Sequence, residues 1–145
     1  MENARNVLAR IYELFESAVL TIVPLREKGP KDQQWHLSFA QTQQPEYQGQ
    51  LLVTAERGGN IGVEEGPPSG LVAININLDS EVDVFFALNP ALKDTLTTRG
   101  ASGCSLWYRP LGEYPVLRVS SGKKIPDSYI AVAEFRGGGG SHSII

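Results

Sequence analysis

The sequence predicts an α+β domain built on a mixed or antiparallel sheet. Helical and strand-like segments follow in the order α-β-α-β-β-α, and the remainder is mostly β. The composition suits one globular unit: 145 residues, 41% hydrophobic and 20% charged, with enough apolar surface for a core. No segment repeats internally.

Each element has its own signal. Val7, Leu8, Ile11, Leu14, Phe15 and Ala18 recur at spacings of three and four, which predicts an amphipathic helix over 4–19 with Asn3 as N-cap. Leu20 to Val23 is β-branched and stopped by Pro24, a short strand. A polar loop from Arg26 to Asp32 follows, and 45–56 reads as a second helix with Pro45 in its first turn. Asn60–Val63 is a short strand, 64–70 a turn, and Leu71–Leu78 a clear strand. Residues 79–88 form a helix with acids in its first turn and Pro90 beyond its end. Strands are expected at Thr95–Arg99, Cys104–Arg109, Val116–Val119 and Tyr129–Arg136. The glycines 137–140 form a turn, and Ser141–Ile145 begins another strand.

One cysteine excludes a disulfide framework. No run approaches the roughly 18 apolar residues of a membrane span, and the first ten residues lack the apolar stretch of a signal peptide. A cytoplasmic setting and no membrane partner are expected. The net charge of −3 is unevenly spread, with an acidic first part and a basic part after residue 90 suited to phosphate contacts.

The strand 71–78 carries the most informative pattern. Alternation puts Val72, Ile74, Ile76 and Leu78 on one face, and Leu71, Ala73, Asn75 and Asn77 on the other. Two amides thus sit roughly 7 Å apart by strand rise. On the strand alone they also fit surface polarity or structural hydrogen bonds. The surrounding sequence resembles a known family. Gly59-Asn-Ile-Gly-Val63 and Gly66-Pro-Pro-Ser-Gly-Leu-Val-Ala-Ile-Asn-Ile-Asn77 are similar to the N-terminal prim-pol domain of bifunctional DNA primase–polymerases, of the archaeo-eukaryotic primase superfamily. There a glycine turn leads into a strand ending Asp-x-Asp or Asp-x-Glu. Val23-Pro-Leu-Arg-Glu-Lys-Gly-Pro-Lys31 with Trp35 resembles an early family segment. Thr98-Arg-Gly-Ala-Ser-Gly-Cys-Ser-Leu-Trp-Tyr-Arg109 resembles the strand after the helix, and Ala133-Glu-Phe-Arg-Gly-Gly-Gly-Gly140 the acid strand with its glycine turn.

The resemblance implies a prim-pol core whose RRM-like sheet, flanked by helices, carries the site. It implies metal-assisted nucleotidyl transfer in DNA replication, with Mg²⁺ or Mn²⁺, nucleoside triphosphates, and single-stranded or primed DNA. A helicase partner or fused domain is expected outside this chain. It also implies one domain over 1–145, truncated at its C-terminal end. By position Asn75 and Asn77 fall on the two motif acids and Glu134 on the third, so these three are the expected catalytic and metal positions. Ser105 falls where a phosphate-contacting histidine would stand. The two amides remove about two negative charges from a site for divalent cations, which impairs catalysis. Deliberate substitution and natural inactivation fit equally.

Arg99, Arg109, Arg136, His142 and Lys28 are the candidate phosphate contacts, with Lys31, Arg118, Lys123 and Lys124 behind them. One of Trp107 and Tyr108 alternates into the core, leaving the other, with Trp35, for base stacking. Cys104 reads as a small core residue, and His36 has no evident partner. Two alternatives stand beside the polymerase reading: a non-catalytic nucleotide or single-stranded DNA binding module, and a structural or interaction domain.

Overall fold

A computed structural model describes residues 3–23, 37–113, 118–126, 128–138 and 141–145. Lys28, Lys31, Trp35 and His36 lie outside them, as does the start of the strand expected at Val116. The elements are α1 (Ala4–Phe15), β1 (Leu20–Val23), α2 (Phe39–Thr42), α3 (Pro45–Glu56), β2 (Asn60–Glu65), β3 (Val72–Ile76), α4 (Asp79–Leu88), β4 (Leu96–Thr98), β5 (Cys104–Tyr108), β6 (Arg118–Ile125), β7 (Ser128–Arg136) and β8 (Ser141–Ile144). The fold is α+β, and every described strand pairing is antiparallel. Three strands run in the order β1-β2-β8, and five in the order β4-β5-β3-β7-β6.

Local chemistry explains most boundaries. Asn3 caps α1 by accepting from the Arg5 N–H at 3.0 Å. The helix stops at Phe15 rather than at 19, because Glu16 turns into the left-handed region (φ 49°). Ala18 and Val19 then lead into β1 and are fully buried. A short helix not expected from the sequence, α2, opens with a reciprocal cap between Ser38 and Gln41. The expected turn at 64–70 is shorter than predicted. Glu64 and Glu65 belong to β2, in register with His142 and Ser141 of β8. The turn itself begins at Gly66 (φ 115°) and closes at Gly70 (φ 63°), with the Gly66 N–H donating to the Leu71 carbonyl.

Two apolar clusters organise the packing. On one face of the five-stranded sheet, Ile76, Cys104 and Leu106 pack with Val82 of α4, joined by Ile74, Phe85, Phe86 and Tyr108. On the other face Ala73 and Trp107 meet Leu8 and Phe15 of α1, Leu51 of α3, and Leu20, Ile61 and Val63 of the three-stranded sheet. This second cluster joins the two sheets. Trp107 stacks edge-on against Phe15 with centroids 4.9 Å apart. Tyr108, on the opposite face, donates its hydroxyl to the Leu92 carbonyl. Trp107 is therefore the ring that alternates into the core, while Tyr108 stays half-buried.

Arg109 also has structural work. Its Nη2 donates to the Phe15 carbonyl (2.7 Å) and its Nη1 to the Ser69 carbonyl (3.2 Å). The guanidinium thus ties the end of α1 to the turn before β3, satisfying a helix C-terminal carbonyl. Arg109→Ala should cost about 1–3 kcal/mol, the range for hydrogen bonds from a charged donor. Urea unfolding reads it directly, and an unchanged midpoint would show that the clamp contributes nothing. Among the described residues, no helix is long and apolar enough to cross a membrane.

Candidate functional site

Register builds the site. Thr98 of β4 pairs with Ser105 of β5, Ser105 with Asn75 of β3, Asn75 with Glu134 of β7, and Glu134 with Ser120 of β6. Directly opposed residues share a face, so one polar row crosses all five strands. It lies opposite the α4 face, because Ile74 and Ile76, on either side of Asn75, pack toward α4. The neighbouring row on the same face runs Leu96, Trp107, Ala73 and Arg136. The polar row thus borders the apolar cluster that joins the two sheets.

The centre of the row is a tight polar network. The Asn75 side chain is buried, and its partners fix its orientation. Its Nδ2 donates to Ser105 Oγ at 2.9 Å. Its Oδ1 accepts from Arg136 Nε (3.2 Å) and Nη1 (3.1 Å). Arg136 Nη2 pairs with Glu134 Oε2 at 2.7 Å, and Nη1 also donates to the His142 carbonyl at 2.9 Å. From the other sheet, Ser143 Oγ lies 3.1 Å from Asn75 Oδ1 and donates to Glu65 Oε1 at 2.5 Å. Asn75, Ser105, Arg136, His142, Ser143 and Ile144 line a cavity of about 210 Å³.

Glu65 is fully buried. Burial pushes its carboxyl above the usual range, opposed by the Ser143 hydrogen bond and the charge of Arg136. A carboxyl raised in the folded state contributes stability below its unfolded pKa, and that contribution is lost as pH rises through the folded value. Glu65→Gln should remove this loss. Melting temperatures of the two proteins should therefore diverge in favour of the variant from mildly acidic to neutral pH. Parallel pH profiles would show that Glu65 carries no such shift.

The structure brings together Asn75, Ser105, Glu134 and Arg136, with His142 at the cavity wall. The described contacts of Asn77 lead elsewhere. Its Nδ2 donates to the Ala131 carbonyl of β7 at 2.9 Å, and its own carbonyl accepts from Ser102 Oγ. The strand ends at Ile76, so Asn77 closes the ladder rather than joining the network. Arg109 is the clamp already described. Arg99 is exposed just past β4, where its charge acts on the Cys104 thiol. Burial pushes that thiol up, and Cys104 packs in the core as expected. Lys28 lies outside the described residues, as do the side chains of Arg118, Lys123 and Lys124.

Two contributors escaped sequence reasoning. Glu65 falls in the turn expected at 64–70, and Ser143 in the short segment expected to begin a last strand. Both enter the network only because β2 extends to Glu65 and β8 pairs beside it. The donor set can be tested against the expected Mg²⁺ or Mn²⁺. These ions favour several carboxylate oxygens. Here the central oxygen is a neutral amide, and one guanidinium contacts both it and Glu134. Among the described residues, no group of three or more His, Cys, Asp or Glu could hold a metal ion. The residues as they stand do not fit either ion. No protein-family model and no curated protein matches the chain.

Proposed function

We propose that the chain is the nucleotidyl-transfer domain of a DNA primase–polymerase, with its site disarmed by amides at the acid positions. The register row carries this reading. Asn75, Ser105 and Glu134 come from three separate motif segments, yet they stand opposite one another on adjacent strands. A template-directed polymerase needs acids converging on one point from neighbouring strands, and this row supplies such a point. Its ligands would be nucleoside triphosphates and primed or single-stranded DNA, with helicase function supplied by a partner or fused domain. The test is nucleotide incorporation on a primed template by the Asn75→Asp/Asn77→Asp protein. An inert variant that still binds template and nucleotide would refute the reading.

A second reading is a non-catalytic module for nucleotide or single-stranded DNA. The cavity favours it, since Arg136, Ser105 and Ser143 are suited to phosphate oxygens. It differs by one measurement. The unaltered chain would bind labelled single-stranded DNA with an affinity that falls steeply as salt rises.

A further inference from the structure

The five-stranded sheet has an extension that the polar network does not use. In the described register β7 pairs with β3 only from Ala133 to Arg136, while its pairing with β6 runs on to Ser128. Residues 122–125 of β6 and 128–131 of β7 therefore form a two-stranded ribbon beyond the end of β3. We infer that this ribbon is a platform for single-stranded nucleic acid, with Tyr129 as the ring on which a base stacks. Three observations carry the inference. Tyr129 is 58% exposed. Its ring is nevertheless seated, because it lies against Gly122, where any Cβ would collide with ring atoms. Glycine there makes room for a ring laid on the ribbon and still open to water. The third observation is register. Ser121 pairs with Ala133 and Gly122 with Ala131, so Val132 is an extra residue on β7. Such a bulge re-aims the residues beyond it. Ser120, Gly122 and Lys124 alternate onto one face of β6, where Ser120 opposes Glu134 and Lys124 opposes Tyr129. The bulge thus turns Tyr129 to the face that carries the row.

Composition and pairing select the ligand. From Arg118 to Ala133 the sequence has three basic residues and one acid, Asp127, in a chain whose net charge is −3. Lys124 stands opposite Tyr129, and Lys123 opposite Ile130. Directly opposed residues share a face, so a lysine position adjoins the ring. A lysine ammonium is a point charge suited to phosphate oxygens, and an open aromatic face stacks on a base with little regard for sequence. The two together fit an unpaired strand, whose bases are free to leave their neighbours. A duplex would offer the ribbon its phosphates but keep its bases stacked inside. The inference deepens the proposed reading by naming where a strand would lie, and it shares with that reading only the class of ligand.

The test is fluorescence anisotropy of the full chain with a labelled oligothymidylate and a labelled abasic strand of the same length. The unaltered protein should bind the oligothymidylate about 5-fold or more tighter, the scale of one base on an aromatic ring. Tyr129→Ala should make the two affinities equal, and Tyr129→Phe should keep the difference. Where Tyr129→Ala does not fold, Tyr129→Leu replaces it, keeping an apolar contact with Gly122 but no ring, with the same loss expected. Lys123→Gln/Lys124→Gln should weaken both strands alike. It should also lower the slope of log affinity against log salt by about 1.4, at about 0.7 per phosphate contact on a single strand. Arg10→Gln/Lys93→Gln removes two exposed cations away from the ribbon and should leave preference and slope unchanged. Four results overturn the inference: no binding of either strand, a preference that survives Tyr129→Ala, a slope unmoved by the lysine variant, or tighter binding of the blunt duplex. None of them involves nucleotide incorporation, so the activity of the Asn75→Asp/Asn77→Asp protein still decides the proposed function separately.

Discussion

The Asn75→Asp/Asn77→Asp protein should incorporate nucleotides on a primed template, and only when Mg²⁺ or Mn²⁺ is added. The unaltered chain should show no incorporation above background. The expected difference is about 10²–10³-fold or more, the scale on which a single preorganised electrostatic group contributes at a transition state. The two positions should contribute unequally. Asn75 sits at the centre of the polar network, against Ser105, Arg136 and Ser143. A carboxylate there keeps the acceptor role toward Arg136 and adds charge where the row converges. Asn77 donates its amide to the Ala131 carbonyl, and a carboxylate cannot. Asn77→Asp alone should therefore be inert and less stable by about 1 kcal/mol, the net worth of one hydrogen bond. Adding Glu134→Gln to the double variant should abolish the restored activity, as measured by primer extension.

Gly103→Ala should unfold the protein or come close to it. Gly103 has φ +67°, and a Cβ built on it would lie 1.8 Å from the Ile76 carbonyl oxygen and 2.8 Å from the Ile76 carbonyl carbon. Both obstacles are backbone atoms of β3, so no side chain can swing aside. The glycine N–H also donates to Asp79 Oδ1 at 2.9 Å, pinning the turn against the start of α4. Left-handed strain and forced overpacking together should cost about 3–5 kcal/mol. The row would suffer with the fold, because Cys104 and Ser105 follow directly and pair with Ile76 and Asn75. Gly100→Ala is the matched control. Its Cβ would meet nothing within 4 Å, so its effect should stay within about 0.5 kcal/mol. Urea unfolding of both variants separates them, and similar midpoints would contradict the close approach at Gly103.

Strong local signals in the sequence survive in the structure. The apolar spacing of α1, the cap at Asn3, the acids opening α4 and the alternation in β3 each have a local cause, and each appears close to its expected place. Four helical residues carry too little periodicity to announce α2, whose Ser38–Gln41 cap emerges only in the structure. Long-range pairing was not legible. Nothing local separates Glu64 and Glu65 from the turn expected at 64–70, because their burial depends on pairing with His142 and Ser141 of β8. The positions of Asn75, Ser105 and Glu134 could be named from motif segments, but their register could not. In the sequence Arg109 ranks ahead of Arg136 as a candidate phosphate contact. Packing reverses that order, setting the Arg136 guanidinium against Asn75 and Glu134 and holding Arg109 on the carbonyls of Phe15 and Ser69.

The proposed nucleotidyl-transfer site, the row through Asn75 and Glu134, carries an amide at its central acid position. Anomalous diffraction from crystals of the Asn75→Asp/Asn77→Asp protein, soaked with Mn²⁺ and a deoxynucleoside triphosphate, tests it most directly. A manganese peak is expected within coordination distance of the carboxylate introduced at position 75, on the face that also carries Glu134. A structure with the triphosphate bound elsewhere and no manganese at the row would contradict it.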